Sequence, residues 1–205
     1  MDFGTSGFRS LNELAAELQR LAEEKGFREN IGDPRGKEAV AVYVANFHEE
    51  ASELWGAARC DRLHKPCDKS EKMRAAGLAP MSCLEEEAAD MIIRPLDIGN
   101  VFAVDIDRAV KLGAVALSLV DMRMPKGRTI ADVAEYVNAY HGAASTIRDD
   151  AHQAMSESRM PVRVGTMLGI MAHVCSVFRL SPIDIVMRKH AFNKTRPHRH
   201  GGKLV

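Results

Sequence analysis

Apolar residues recur every three or four positions along most of this 205-residue chain. The first such segment has leucine or alanine at positions 11, 14, 15, 18, 21 and 22, and Gly26 follows it. This spacing gathers apolar side chains on one face of a helix, and a glycine often follows a last helical turn. The pattern therefore predicts an amphipathic helix that ends near Gly26.

The same periodicity predicts six further long helices. They span Lys37 to about Arg59, Ser82 to about Phe102, a segment that starts at Asp105, a segment capped by Thr129, Val164 to Arg179, and Ser181 to just before Arg196. Proline disrupts helices, so Pro95 is expected to kink or break its helix and Pro161 to interrupt the chain. The polar segment from Gly56 to Pro80 holds at most a short helix after Asp68. No segment has the alternation typical of a strand, so we predict an all-α helical bundle.

Two of these segments resemble each other. Residues 40–48, VAVYVANFH, recur as residues 133–141, VAEYVNAYH, and a second match pairs residues 101–105 with residues 177–181. Recurring segments of this kind indicate an internal repeat. We interpret residues 1–120 as one helical unit and residues 121–205 as a degenerate second unit, packed together as one domain.

The two copies differ in charge. The first copy continues with the acidic residues Glu49, Glu50 and Glu53, and the second has Gly142, Ala143 and Thr146 in their place. Carboxylates that one copy lacks are not needed for the shared helical scaffold. The difference therefore suggests a functional role for the three glutamates.

The acidic residues have the spacing of a metal site. Glu50 and Glu53 are three residues apart, and so are Glu87 and Asp90 on the helix predicted next along the chain. Residues three apart share a helical face, so two neighbouring helices can bring four carboxylates together. Hard divalent ions such as Mg²⁺ and Mn²⁺ prefer oxygen ligands and leave positions for phosphate oxygens and water. The pattern predicts a divalent metal site.

Two adjacent glutamates have a simpler explanation. Glu85 and Glu86 fall in the first turn of the helix that follows Ser82. The helix dipole and a capping box both favour acidic side chains there. We therefore expect these two side chains to be solvated rather than functional.

Near the end of the chain lie residues suited to phosphate. Lys189 and Asn193 are four residues apart, and Arg196 follows where the helix ends. Lysine offers a mobile point charge, and the arginine fork suits phosphate oxygens. The acids occur only in the first copy and these residues only in the second, which predicts one metal–polyphosphate site built from both halves. A basic helix end that partners the helix dipole is the alternative.

These motifs resemble a known family. Glu49-Glu50-x-x-Glu53 followed by Glu87-x-x-Asp90 is similar to the signature of MazG-like nucleoside triphosphate pyrophosphohydrolases, which belong to an all-α superfamily that includes dimeric dUTPases. Residues 83–94 and 189–202 resemble its third-helix and C-terminal segments, and the resemblance covers about residues 11–111 and 181–203. Two features depart from the family pattern: the longer spacing between the acidic motifs, and residues 112–180, which the repeat explains.

The resemblance implies hydrolysis of a (d)NTP between its α and β phosphates, giving a (d)NMP and pyrophosphate. The implied metal ligands, for Mg²⁺ or its substitute Mn²⁺, are Glu50, Glu53, Glu87 and Asp90. Glu49 would position or deprotonate the attacking water, and the phosphates would be bound by Lys189, Asn193 and Arg196. Two alternatives remain open: a catalytically silent helical module that binds nucleotide or protein, and a phosphoribosyl-ATP pyrophosphohydrolase.

The composition narrows the choice of partners. Lysine plus arginine and aspartate plus glutamate both number 28, so the basic excess of nucleic-acid polymer binders is missing. The best apolar run is interrupted at positions 94, 95 and 97, and the N-terminus lacks the apolar segment of a signal peptide. Four cysteines without a secretion signal favour reduced thiols. We expect a cytoplasmic homodimer with a nucleoside triphosphate substrate and no membrane partner.

Other residues carry weaker functional interpretations. His48 and His141 are equivalent in the repeat, which favours packing or hydrogen bonding, and a lone Trp55 is more often core than a base-stacking residue. No standard zinc-site spacing is found among Cys60, His64, Cys67 and Cys83. A solvated loop, or alternatively a phosphate-closing lid, is expected around Lys65, Lys69, Lys72 and Arg74.

Overall fold

A computed structural model describes residues 8–29, 31–119, 124–152 and 156–198. Within these ranges the chain forms eight helices: α1 (Leu11–Glu24), α2 (Lys37–Arg59), α3 (Ser70–Ala75), α4 (Cys83–Val101), α5 (Ile106–Leu119), α6 (Ile130–His152), α7 (Ser156–Phe178) and α8 (Pro182–Thr195). The same ranges contain no β-strand, and Pro66 and Ser82 form an isolated bridge. The prediction of an all-α helical bundle is confirmed.

Several predicted helix ends are confirmed by their capping contacts. At the start of α4 the Ser82 backbone N–H donates to the Glu85 carboxylate (2.8 Å), and the Glu85 N–H donates to the Ser82 hydroxyl (3.2 Å). Thr129 and Asp132 exchange the same two bonds at the start of α6. Gly26 follows α1 with a φ of +76°, a conformation that glycine adopts without strain. Residues within one turn of these helix ends therefore predict the ends correctly.

The expected interruption at Pro161 is wrong. Helix α7 begins at Ser156 and continues through Pro161, just as α4 continues through Pro95. Proline removes one backbone hydrogen bond. Met160 and Val164 on either side are almost completely buried in the core, and the burial of this continuous apolar face outweighs the lost bond.

One membrane-length segment was overlooked in the sequence. Among the described residues, Arg159–Phe178 in α7 is long and apolar enough to cross a membrane by length and composition. In the bundle 56% of its apolar window is buried, and α7 packs against α4, α5 and α6. The core helix of a bundle passes the same test, so length and composition alone do not make this segment a membrane span.

Helix α4 lies at the centre of the bundle. It packs against α1, α2, α7 and α8, and its buried residues fall on every side of the helix, as expected for a helix enclosed by others. Helix α2 packs against α6, and α5 packs against α7. The two predicted units therefore share one core, and the proposed boundary at residue 120 stays a prediction.

The two histidines of the repeated motif contact each other. The Nδ1 atoms of His48 and His141 are 2.6 Å apart, which is a hydrogen bond between the half-buried imidazoles of α2 and α6. Burial lowers the pKa of both rings, so one neutral imidazole donates and the other accepts. The expected hydrogen-bonding role is confirmed for this pair.

A second pair of contacts is also equivalent in the two copies. The Arg35 guanidinium donates through Nε to the carbonyl of Val101 (2.8 Å), and Arg128 donates in the same way to Val177 (2.6 Å). These carbonyls lie at the ends of α4 and α7, which pair with each other in the sequence alignment. The contacts support the repeat, which itself stays an inference from the sequence.

Helices α5 and α7 cross at glycines. A Cβ atom built on Gly165 would overlap the backbone carbonyl of Ala109, and one on Gly113 would overlap the backbone of Gly165. Both obstacles are main-chain atoms, which cannot rotate away as a side chain can. This crossing therefore depends on glycine.

Gly165→Ala should lower the free energy of unfolding by about 1–3 kcal/mol, because the added methyl group overpacks the crossing. Denaturant unfolding followed by circular dichroism measures the effect. Gly142→Ala is the matched control: on the exposed face of α6 an added Cβ meets nothing within 4 Å. The control should stabilise by up to about 1 kcal/mol through helix propensity. A similar gain in Gly165→Ala would contradict the close crossing.

Candidate functional site

A pocket of about 260 Å³ opens between α1, α2, α4 and α8. Seven of the eight site residues predicted from the sequence lie in its wall: Glu49, Glu50, Glu53, Asp90, Lys189, Asn193 and Arg196. The eighth, Glu87, lies beside Glu50 and Glu53. The fold thus brings the acidic residues of α2 and α4 to the same pocket as the polar residues of α8.

Three carboxylates form a close group at this pocket. Glu50, Glu53 and Glu87 each offer an oxygen within 4.8 Å of the other two. Glu87 is 8% exposed, and its Oε2 is buried without a hydrogen-bond partner. A buried, unpaired carboxylate oxygen costs free energy, so this group can hold a metal ion.

The electrostatics of the group are unfavourable without a cation. Burial raises the pKa of Glu87 to about 9, and the neighbouring Glu86 and Asp90 carboxylates add to the shift. Burial and Asp90 likewise raise the pKa of Glu50 to about 7, against the opposing effect of Arg94. Near neutral pH Glu87 is therefore mostly protonated and Glu50 partly so, and a bound divalent ion would displace these protons.

Arg94 is a site residue that the sequence analysis missed. Its Nε and Nη2 both donate to Oε1 of Glu50, at 2.9 and 2.7 Å. The available signal was its position four residues after Asp90 on the same helix, which places both on one face. Because both bonds go to Oε1, the Oε2 atom of Glu50 is left for another partner.

The expectation that Glu86 is solvated is wrong. Its side chain is 2% exposed and accepts hydrogen bonds from Lys189 (2.7 Å) and from Lys69. Helix α8 and the segment before α3 cover this face of α4. The burial of Glu86 depends on these distant segments, so the helix-dipole argument could not predict it. The capping role expected for Glu85 is present, as described above. Lys69 also lies in the pocket wall.

Lys189 is held by carboxylates. It is 2% exposed, and its ammonium group donates to both Glu86 and Asp90. Burial alone would lower the pKa of Lys189, but the Asp90 and Glu86 carboxylates raise it above its ordinary value. Phosphate binding by Lys189 stays a prediction, and it would require a partial release from these acids. Asp90 as a metal ligand stays a prediction for the same reason.

The end of α8 is anchored by α1. The Lys25 ammonium group donates to the backbone carbonyls of Lys194 (2.8 Å) and Arg196 (2.5 Å). The Arg196 guanidinium lies 5.9 Å from the centre of the Phe192 ring. These contacts hold Arg196 in the pocket wall, while Glu49 is exposed on α2. The roles predicted for both residues stay predictions.

Unpaired polar atoms concentrate at this pocket. In the described chain four buried side-chain atoms lack a hydrogen-bond partner: Tyr43 Oη, Glu87 Oε2, His190 Nδ1 and Asn193 Oδ1. Three of these residues lie in the pocket wall and Glu87 belongs to the carboxylate group. Buried polar atoms are rarely left unpaired. Such a concentration is typical of a site that binds a polar ligand.

Comparisons with protein-family models, curated proteins and solved structures found no match. The family assignment therefore rests on the resemblance of the motifs alone. The activity, ion and partners that it implies remain proposals.

The structure also places the tryptophan and the cysteines that were considered as functional residues in the sequence. Trp55 is partly buried and packs against the core, and it is not in the pocket wall. The four cysteines are free thiols. The groups of possible metal ligands in the described chain include neither Cys60 nor His64. A second such group holds Cys67, Asp68 and Glu86, but lysines already neutralise Glu86. A phosphate-closing lid stays a prediction.

Proposed function

We propose that this chain is a divalent-metal-dependent pyrophosphohydrolase that converts a (d)NTP to its monophosphate and pyrophosphate. The observation that carries the proposal is the carboxylate group of Glu50, Glu53 and Glu87, with its buried unpaired oxygen, beside a pocket that also holds Lys189, Asn193 and Arg196. The choice of reaction comes from the motif resemblance.

The donor set fits a hard divalent ion. Glu87 offers an unpaired buried oxygen, Glu50 offers the oxygen that Arg94 does not bind, and Glu53 is exposed. Three carboxylates with room for water or phosphate oxygens suit Mg²⁺ or Mn²⁺. When bound, such an ion neutralises phosphate charge and lowers the pKa of coordinated water.

The other residues have roles that follow from their chemistry. Arg196 would bind phosphate oxygens through its fork, and Glu49 would orient or deprotonate the attacking water. Asn193 would contribute a neutral polar contact. The apolar part of the wall, which includes Leu18, Phe27 and Phe47, would cover the base.

One observation favours a second candidate, a silent binding module. Arg94 and Lys189 already neutralise Glu50, Asp90 and Glu86 through direct contacts. In a module that binds no metal, these ion pairs alone would balance the charge of the carboxylates. A phosphoribosyl-ATP pyrophosphohydrolase would share the metal chemistry and differ only in substrate.

We expect Mg²⁺-dependent release of pyrophosphate from at least one member of a panel of eight (d)NTPs, and none from Glu53→Gln at limiting Mg²⁺. In ¹⁸O-labelled water the label should enter the monophosphate or the pyrophosphate, without direct formation of orthophosphate. A panel with no turnover would favour the silent module, and turnover of phosphoribosyl-ATP alone would favour the second enzyme. Direct orthophosphate release would mean attack at the γ phosphate and a different class of enzyme.

A further inference from the structure

His190 and Glu17 form a carboxylate–imidazole pair at the pocket. His190 lies on α8, is 2% exposed and is part of the pocket wall. Its Nε2 is 3.1 Å from Oε1 of Glu17 on α1, a residue 173 positions away in sequence. Its Nδ1 is buried and has no hydrogen-bond partner among the described residues.

The contacts of Glu17 determine where the imidazole proton lies. The Glu17 carboxylate also binds Lys194 (2.9 Å) and Arg20 (2.9 Å). The hydrogen bond from Lys194, with support from Arg20, lowers the pKa of Glu17 to about 2 despite partial burial. An ionised carboxylate only accepts hydrogen bonds. The hydrogen between the two groups is therefore on Nε2 of His190.

The second nitrogen is consequently an acceptor. Burial lowers the pKa of His190, and the nearby Lys194 and Arg20 charges act in the same direction against Glu17. The ring is neutral at neutral pH, so Nδ1 carries a lone pair and no hydrogen. A buried acceptor without a donor costs free energy, and a ligand with a hydrogen to donate would remove that cost.

We infer that His190 recognises a hydrogen-bond donor on the nucleoside half of the bound nucleotide, and that Glu17 is the positioning residue that keeps Nδ1 an acceptor. The inference rests on the proposed function for the nucleotide nature of the ligand. Phosphate oxygens are themselves acceptors, so they cannot be the partner of Nδ1. The partner is a sugar hydroxyl or an N–H of the base.

The surroundings of His190 agree with recognition of a nucleoside. Asn193 lies one turn further along α8, and its Oδ1 is a second buried acceptor without a partner. Tyr43 on α2 adds an unpaired hydroxyl in the wall of the same pocket. Apolar side chains such as Phe27 and Ile31 complete that wall. Polar acceptors set among apolar side chains are what a base or sugar requires.

Two variants remove the acceptor in different ways. His190→Phe deletes it. Glu17→Met removes the carboxylate that holds the imidazole hydrogen on Nε2, so that this hydrogen can move to Nδ1. Lys194→Met is the matched control, because it removes a charge from Glu17 and leaves the carboxylate in place. His190→Asn retains a short side chain with an acceptor, and circular dichroism checks that each variant is folded.

The measurement is calorimetric binding of non-hydrolysable α,β-methylene nucleotides in Mg²⁺, with inorganic tripolyphosphate as the probe that lacks a nucleoside. Loss of one hydrogen bond should weaken nucleotide binding about tenfold in His190→Phe, and Glu17→Met should weaken it in the same direction. Tripolyphosphate binding should not change, and Lys194→Met should behave like the wild type. His190→Asn should recover part of the loss.

Nucleotides that lack one donor identify the source. If the sugar supplies it, the wild type prefers the ribonucleotide over its 2′- or 3′-deoxy form, and His190→Phe abolishes that preference. If the base supplies it, the preference for adenine over purine, or for uracil over N3-methyluracil, is abolished instead. Three results would overturn the inference. His190→Phe could leave both the sugar preference and the base preference unchanged, or it could weaken tripolyphosphate binding as much as nucleotide binding. The third is a wild type that binds no nucleotide. Nucleotide binding that depends on His190 without any pyrophosphate release would overturn only the proposed function.

Discussion

Glu87→Gln is expected to abolish Mn²⁺ and Mg²⁺ binding and, at the same time, to make the metal-free protein more stable. Glutamine keeps the shape of the side chain but cannot become a charged ligand. Because Glu87 is buried beside Glu50 and Glu53, its charge is favourable only when a cation is present. Loss of ion binding together with a gain in apo stability is the mark of a metal site, and a purely structural carboxylate would not produce it.

The stability gain should depend on pH. The pKa of Glu87 is raised to about 9 in the folded chain from its ordinary value of 4.5. Below pH 4.5 both states are protonated. Between the two values the unfolded chain loses its proton first, so folding becomes less favourable by up to about 1.4 kcal/mol per pH unit. Wild-type stability should fall across this window, and Glu87→Gln should lack this contribution.

Thermal unfolding of the metal-free proteins from pH 5 to pH 9, with Mn²⁺ titrations at each pH, measures both effects. Mn²⁺ affinity of the wild type should rise with pH, because binding displaces protons. Glu135→Gln, an exposed position on α6, is the control and should match the wild type in both measurements. Retained Mn²⁺ affinity in Glu87→Gln would remove Glu87 from the site.

Lys189→Met should lower the free energy of unfolding by about 3–5 kcal/mol, because it leaves buried carboxylates without their cation. The Lys189 ammonium group contacts both Glu86 and Asp90 in a nearly closed environment. Lys69 still neutralises Glu86, so the uncompensated charge falls mainly on Asp90. Adding Asp90→Asn to Lys189→Met should therefore recover much of the loss.

Denaturant unfolding of the two single variants and the double variant gives the coupling between the two residues. Lys194→Met on the same helix is again a suitable control, since Lys194 is about half exposed. A loss under about 1 kcal/mol, typical of a surface ion pair, would mean that Lys189 is free to bind phosphate without disturbing the fold. In that case the role of Lys189 would be measured from the kcat and KM of Lys189→Met, without a change in stability.

The sequence predicted the parts of this fold that depend on neighbouring residues. Capping pairs such as Ser82 with Glu85 lie within one turn, and the helix starts that they predict are correct. Pro161 shows the limit of such signals, because whether a helix tolerates proline depends on what packs against it. The burial of Met160 and Val164 comes from other helices, which no local pattern contains.

The candidate site could likewise be predicted from the sequence only in part. The acids of α2 and α4 were found because their spacing is a local property. The burial of Glu86, the contacts of Lys69 and the pairing of Arg94 with Glu50 were missed, because each depends on how distant segments meet. The Glu17–His190 pair spans 173 residues, and nothing near either residue in the sequence points to the other.

The position of α8 in the chain has a consequence for folding. Lys189, His190 and Arg196 reach the pocket only when α8 docks on α4 and α1, and α8 is the last helix of the described chain. Contacts between residues so far apart in sequence form late and slow folding. In a chain synthesised from its N-terminus, α1 to α7 are therefore available to pack before α8 completes the pocket. Until then the acids of α4 lack Lys189, so a nucleotide present during synthesis would meet the carboxylates without the residues of α8.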